Sequence, residues 1–195
     1  MAIEIEAKMK AGDVQVLRSQ LKELGAKCLG RVLETNTYFD THDQRLKAGD
    51  QGLRIRLTRS ENGTDRKVYL THKGPRSHGG LKRRSEAEVE ISSAEDAADL
   101  LVGLGYIPRL TFEKRRETWK LGVTDIMIDE IPMLGSWIEI EGDREEDVVT
   151  VREQLGLDNS PLVKASYVAM LRSHAIEHGL PEEVFRFQPA ETATT

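Results

Sequence analysis

The sequence predicts an α+β protein: an antiparallel sheet of about eight strands with helices packed on its apolar side. Three observations lead there. Period-two alternation, with charge on one parity and aliphatic residues on the other, runs through six segments. A strand leading directly into an amphipathic helix recurs three times, at 3–25, 86–105 and 137–156. Strand-like stretches separated by short turn signals fill the space between these units.

The first unit, IEIEAKMKAGDVQVLRSQLKELG, opens on a strand with Glu4, Glu6 and Lys8 on one face and Ile3, Ile5 and Ala7 on the other. Val14, Leu17, Leu21 and Leu24 then form a helical stripe, and Gly25 suits the left-handed position that ends a helix. VLETNTYFD (32–40) is β-prone and runs into the turn-forming DTHD. GLRIRLTRS (52–60) and KVYLTHKGP (67–75) flank ENGTD, a hairpin signal containing Asn-Gly. A mobile loop, GPRSHGG, is expected before LKRRSEAEVEIS (81–92). The second helix follows, with Ser92 and Glu95 as its capping box, and the third has Asp143 and Glu146. Segments 110–121, 123–131 and 135–143 predict a meander, and 164–176 a last helix. The three strand-to-helix units are irregularly spaced, which excludes a solenoid.

Composition narrows the class. Charged residues make up 31% of the 195 and hydrophobic ones 38%, as expected of one soluble domain with a modest core. A net charge of −5 argues against a nucleic-acid partner. Cys28 is the only cysteine, so no intrachain disulfide and no cysteine-rich zinc site is possible. No secretory leader is apparent, and no apolar run approaches the ~18 residues of a membrane helix. The expectation is a cytoplasmic protein without membrane association, with its oligomeric state open between monomer and homodimer.

The charged parity carries the chemistry. Arg54 and Arg56 share a face, as do Arg84, Glu86, Glu88 and Glu90, Lys114 and Arg116, Asp125 and Asp129, and Glu139 and Glu141. Two architectures accommodate this: an open sheet with its charged face in water, or a barrel with charges inward and aliphatic residues outward beneath the helices. The segregation of acids at 4/6, 86/88 and 139/141 from bases at 54/56 and 114/116 favours closure. Buried charges need partners. All-oxygen carboxylate clusters suit Mg²⁺ or Mn²⁺, and clustered Arg and Lys suit phosphate oxygens. A metal–polyphosphate chelate would satisfy both sets.

At this point the order of motifs resembles a family. EIEAK, TYFDTHDQRLKAGDQGLRIR, LTHKGP, KRRSEAEVE, FEKRRETW, IDEIPMLGSWIEIE and KASYVAML, over residues 2–172, resemble the CYTH superfamily, or triphosphate tunnel metalloenzymes. The wording is most like the class IV adenylate cyclase (CyaB-like) branch. The resemblance implies an eight-stranded antiparallel β-barrel, a tunnel with a charged interior and helices outside. It places this domain at 1–176 and leaves 177–195 as a partly disordered tail. It implies that Lys8, Arg54, Arg56, Lys73, Lys114 and Arg116 hold the triphosphate and stabilise its transition-state charge, joined by Arg84. Glu4, Glu6, Glu139 and Glu141 would bind metal, supported by Asp129, Glu86 and Glu88, with two Mg²⁺ or Mn²⁺ ions as cofactors. Members act on ATP, tripolyphosphate, thiamine triphosphate or capped-RNA precursors; the alternatives here are cyclase, triphosphatase and a non-catalytic polyphosphate-binding module.

The remaining residues receive ordinary roles. Glu113 and Arg115 fall on the outward parity, and Lys82 and Arg83 are read as ordinary surface, with a mobile phosphate gate as the alternative. His42, His72 and His78 are read as solvated turn residues, Trp119 and Trp137 as packing residues, and DREED as a solvated helix start.

Overall fold

The computed structural model describes residues 2–61, 63, 65–77 and 80–188. The chain runs β1 (Ala2–Lys10), α1 (Val14–Glu23), β2 (Lys27–Thr41), α2 (Arg45–Ala48), β3 (Gly52–Ser60), β4 (Arg66–Ser77) and β5 (Lys82–Ile91). It continues through α3 (Ala94–Gly103), β6 (Tyr106–Leu121), β7 (Thr124–Ile131), β8 (Gly135–Gly142), α4 (Glu145–Gln154), α5 (Tyr167–His178) and β9 (Val184–Phe185). The strand order is β2-β3-β4-β5-β1-β8-β7-β6, and β6 pairs back onto β2, so eight antiparallel strands close into a barrel. Closure removes both sheet edges. No described helix is long and apolar enough to cross a membrane.

The alternation in the sequence becomes inside and outside. Ile5, Ala7, Ile126, Ile128, Ile138 and Ile140 point outward from β1, β7 and β8 and are covered by α1 and α4 through Leu17, Leu21, Val148, Val151 and Leu155. On the opposite wall α3 presents Leu101 to Phe39, Ile55 and Val68. A third cluster, at one end of the barrel, joins Leu110, Phe112, Ile131 and Trp137 to Tyr167, Leu171 and Ala175 of α5 and to Phe185. Each helix thus covers strand surface that would otherwise be wet and apolar, at about 25 cal/mol per Å² removed from water.

Local differences have local causes. The expected capping boxes are displaced: α3 is capped by Ser93, whose hydroxyl accepts from the Asp96 amide, and α4 starts after Arg144 without a side-chain cap. Three carboxylates in the first turn of α4 (Glu145, Glu146, Asp147) complement its positive end instead. The expected loop after Lys73 is partly strand. β4 continues to Ser77 through a register shift between Lys73 and Arg76, where Pro75 cannot donate and Gly74 lies so close to β5 that a Cβ there would meet Ser85 Oγ at 2.2 Å. His78, within that loop, and Asn62 of the hairpin lie outside the described residues.

The tail is not featureless. Val184 and Phe185 pair in parallel with Thr111 and Phe112, on the stretch of β6 edge that β7 does not reach. Phe185 is fully buried, and Glu113 accepts a hydrogen bond from the Phe187 amide. The expected disorder at the end of the tail falls on residues 189–195, outside the described residues. The expected turn at DTHD is followed by a short helix, α2, that the sequence reading did not include. Asp40 organises it by accepting from the Leu46 and Lys47 amides.

Candidate functional site: a charged tunnel

The barrel encloses a cavity of about 1110 Å³. Strand parity fills it: Glu4, Glu6 and Lys8 from β1, Arg54 and Arg56 from β3, Lys73 from β4, Arg84, Glu86 and Glu88 from β5, Lys114 and Arg116 from β6, and Glu139 and Glu141 from β8 all line it. Register places acid beside base. Glu4 lies opposite Arg84, Lys8 opposite Glu139, Lys73 opposite Glu86 and Arg116 opposite Asp129.

Lys82, Glu34, Tyr38 and Tyr167 also face this interior and were not among the site residues of the sequence reading. Lys82 is not a surface residue: it shares the parity of Arg84 and Glu86, lines the tunnel and is bonded to Glu6. Its neighbour Arg83 points outward to Glu145. Glu34 and Tyr38 enter from β2, where Thr residues on the other parity blur the alternation. Tyr167 enters from α5, where no strand parity could announce it. Arg115 is outward and pairs with Glu130 at 3.0 Å, as its parity requires. His72 lies within β4 rather than in a turn, bonded to Gln51.

The tunnel has an acidic pole. Ligand oxygens of Glu4, Glu6 and Glu141 lie within 4.8 Å of one another. Glu6 Oε1 accepts no hydrogen bond among the described residues, although Lys8 Nζ lies 3.4 Å away. Burial, together with the nearby charges of Glu4, Glu139 and Glu6, holds the Glu141 carboxyl well above the usual carboxylate range. Burial opposes ionisation of Glu4, but the Lys73 ammonium 2.9 Å away, a hydrogen bond with Glu86 and the charge of Lys82 together keep that carboxyl well below its ordinary value. The tunnel is thus short of positive charge at Glu141 while its oxygens converge, and all donors are hard oxygens. These residues fit a divalent cation such as Mg²⁺ or Mn²⁺.

The other acids of the expected metal set are turned to bases. Asp129 is fully buried and receives Arg116 Nε at 2.7 Å and Nη2 at 2.6 Å, plus Lys114 Nζ at 3.1 Å. It does not reach the cavity surface; it positions two cations. Glu139 lies 3.7 Å from Lys8 and also receives Arg116. Burial raises its proton affinity, yet Arg116, Lys114 and Lys8 hold it well below the usual range. Glu88 takes both donor contacts from Arg56 Nη2 at 2.8 Å, and Thr71 donates to it at 2.7 Å. Glu86 is bonded to Lys73.

The basic wall is held by these acids. Glu34, 2% exposed, sits 3.4 Å from Lys114 and 3.8 Å from Arg56. Burial resists its ionisation, but Lys114, Arg116, Arg56 and Arg54 pull its pKa down to about 2. Burial likewise opposes the charge of Lys73, and Glu4 and Glu86 together more than compensate, so Lys73 stays protonated. Arg84 differs from the rest. It lines the tunnel, but its guanidinium donates to the backbone carbonyls of Gly74 and Asp50, at 2.9 and 3.0 Å through Nε and Nη2.

Chemically, the arrangement sets an oxygen-only carboxylate cluster beside ammonium and guanidinium groups in one cavity. Such groups bind polyphosphate and stabilise charge on its oxygens during transfer.

Comparison with known proteins bears on the family and the fold. The CYTH domain family matches residues 2–167. Adenylate cyclase CyaB of Aeromonas hydrophila is 29% identical over 174 residues, covering 84% of this chain and 86% of that protein. The PH1819 protein of Pyrococcus horikoshii OT3 superposes with a TM-score of 0.76 at 27% identity, covering 88% of this chain and 99% of that one. A Hippeastrum protein, HpAC1, described as an adenylyl cyclase candidate with a dominant triphosphatase activity, shares the fold with a TM-score of 0.64 at 20% identity, over 91% of this chain and 97% of that one. Convergent charge inside a closed eight-stranded barrel and a family match spanning most of the chain lead to one assignment: the chain belongs to the CYTH family.

Proposed function

We propose that this chain is a divalent-cation-dependent enzyme that takes a triphosphate into the tunnel and converts ATP to cyclic AMP and pyrophosphate. The observation that carries the proposal is the meeting, within one cavity, of the Glu4–Glu6–Glu141 oxygen cluster with the basic wall. Similarity to a protein named adenylate cyclase CyaB supports the choice of ATP.

Glu4, Glu6 and Glu141 would hold Mg²⁺ or Mn²⁺, with Glu139 positioned for a second ion once Arg116 and Lys8 turn to substrate. Bound there, the ion would neutralise phosphate charge and lower the pKa of a coordinated hydroxyl. Lys8, Arg54, Arg56, Lys73, Lys114 and Arg116 bind and orient the triphosphate and stabilise its developing negative charge. Lys82, tied to Glu6, joins that set. In the cyclase step the ribose 3′-oxygen forms a bond to the α-phosphorus and releases its proton. The α–β bridging bond breaks, and pyrophosphate leaves with the electron pair.

A triphosphatase is the second reading, favoured by the fold shared with HpAC1 and by the fact that the cage demands only a triphosphate. There water attacks a terminal phosphorus and orthophosphate is released. Product analysis with ATP and, separately, tripolyphosphate, each with Mg²⁺ or Mn²⁺ and an EDTA control, decides between them. Cyclic AMP with pyrophosphate, lost in Glu4→Gln and Glu141→Gln, is the expected result. Orthophosphate without cyclic AMP selects the triphosphatase. Tight tripolyphosphate binding without turnover of either substrate overturns the enzyme proposal in favour of a binding module.

A further inference from the structure

Tyr167 is the first residue of α5, placed by Ser166, whose hydroxyl accepts from the Ala169 amide. Its ring enters the tunnel at the end that α5 covers and is only 7% exposed. Phe112 and Trp137 hold it edge-on, with centroids at 6.5 and 6.3 Å. Two members of the basic wall converge on the same ring. Lys8 Nζ lies 4.6 Å and Lys114 Nζ 5.5 Å from its centroid.

The hydroxyl of this ring has no hydrogen-bond partner among the described residues. Buried tyrosines normally find one, because an unpaired buried hydroxyl is unfavourable. A phenylalanine would fill the same aromatic cluster without that penalty, so packing does not account for the oxygen. Its setting does suggest a partner. Burial, and then the charges of Glu139 and Asp129, push the phenol well above its ordinary range, so the hydroxyl keeps a proton to donate and lacks an acceptor for it among the described residues. An anionic oxygen between two ammonium groups is such an acceptor.

We infer that Tyr167 is a substrate-contacting residue whose hydroxyl donates a hydrogen bond to a phosphoryl oxygen seated between Lys8 and Lys114. The inference rests on the reading of the tunnel as a triphosphate site. It adds a neutral donor beside the ammonium groups of Lys8 and Lys114, where the start of α5 lines the tunnel. A neutral donor fixes orientation without adding charge, which distinguishes one phosphoryl group from its neighbours along the chain.

The test is calorimetric titration of tripolyphosphate, in the presence of Mn²⁺, into the wild-type protein and Tyr167→Phe, with thermal denaturation of both in EDTA without ligand. A hydrogen bond to a charged oxygen predicts at least about 10-fold weaker binding in the variant. The ligand-free melting temperature should be unchanged or higher, since the removed hydroxyl has no partner to lose. Equal affinity in the two proteins overturns the inference and leaves the triphosphate reading standing. A lowered ligand-free melting temperature overturns it as well, by assigning the hydroxyl a structural bond. Absence of tripolyphosphate binding by the wild type overturns the triphosphate reading, and this inference with it.

Discussion

Asp129 offers the sharpest stability test, because its role is to neutralise cations. Replacing Asp129 by Ala removes the carboxylate that receives Arg116 at 2.7 and 2.6 Å and Lys114 at 3.1 Å, at a site with no exposure. Two buried cations would lose their principal partner. Breaking a buried ion pair from one side typically costs about 3–5 kcal/mol. Lys114 retains Glu34 at 3.4 Å and Arg116 retains Glu34 at 4.0 Å together with Glu139, so the lower end, about 3 kcal/mol, applies. For a domain of this size that corresponds to a fall in Tm of about 6–12 °C. Urea denaturation gives the free energy, and calorimetry in EDTA gives the shift. Asp129→Asn, which keeps the shape and one acceptor, should fall between the two. A loss below about 1 kcal/mol in Asp129→Ala would refute the argument, because the bases would then be held by something other than this carboxylate.

The opposite sign is expected at the acidic pole. Glu141→Gln relieves repulsion from Glu4, Glu139 and Glu6, so the metal-free protein should melt higher while the Mn²⁺-induced shift in Tm disappears, both read by thermal denaturation with and without MnCl₂. Glu34 has a folded pKa of about 2 against an ordinary 4.5, so its stabilisation is present above pH 4.5 and lost as pH falls toward 2. Wild type should exceed Glu34→Gln by about 3 kcal/mol at pH 6, with the gap closing below pH 4.5 in urea titrations at stepped pH. Phe185→Ala should cost about 3–5 kcal/mol by chemical denaturation, since this fully buried ring anchors β9 to α5 and β6. A near-neutral result there would mean that the C-terminal segment is dispensable to the fold.

Much of the architecture was legible because a strand has a period of two. Glu4, Glu6 and Lys8 alternate with Ile5 and Ala7, and the same rule put Arg54, Lys114 and Glu139 inside and Ile55, Arg115 and Ile138 outside. Lys82 obeyed that rule too. Its parity with Arg84 was present in the sequence but was outweighed by its position beside a loop. Parity states which face a residue takes; it cannot state what lies across the barrel.

Sequence alone therefore determined the strands, their charged and apolar faces, the acid and base inventory and the family resemblance, and only that resemblance implied that the charged faces turn inward. Tertiary structure decided the partnerships. Only the long-range pairing of β1 with β8 makes Glu141 crowd Glu4 and Glu6, and only the β6–β7 register turns Asp129 to Lys114 and Arg116. Only the packing of α5 against Phe112 and Trp137 carries Tyr167 into the tunnel. Charges separated by more than a hundred residues interact through distance in space, and that distance is set by register and closure, which no single strand encodes.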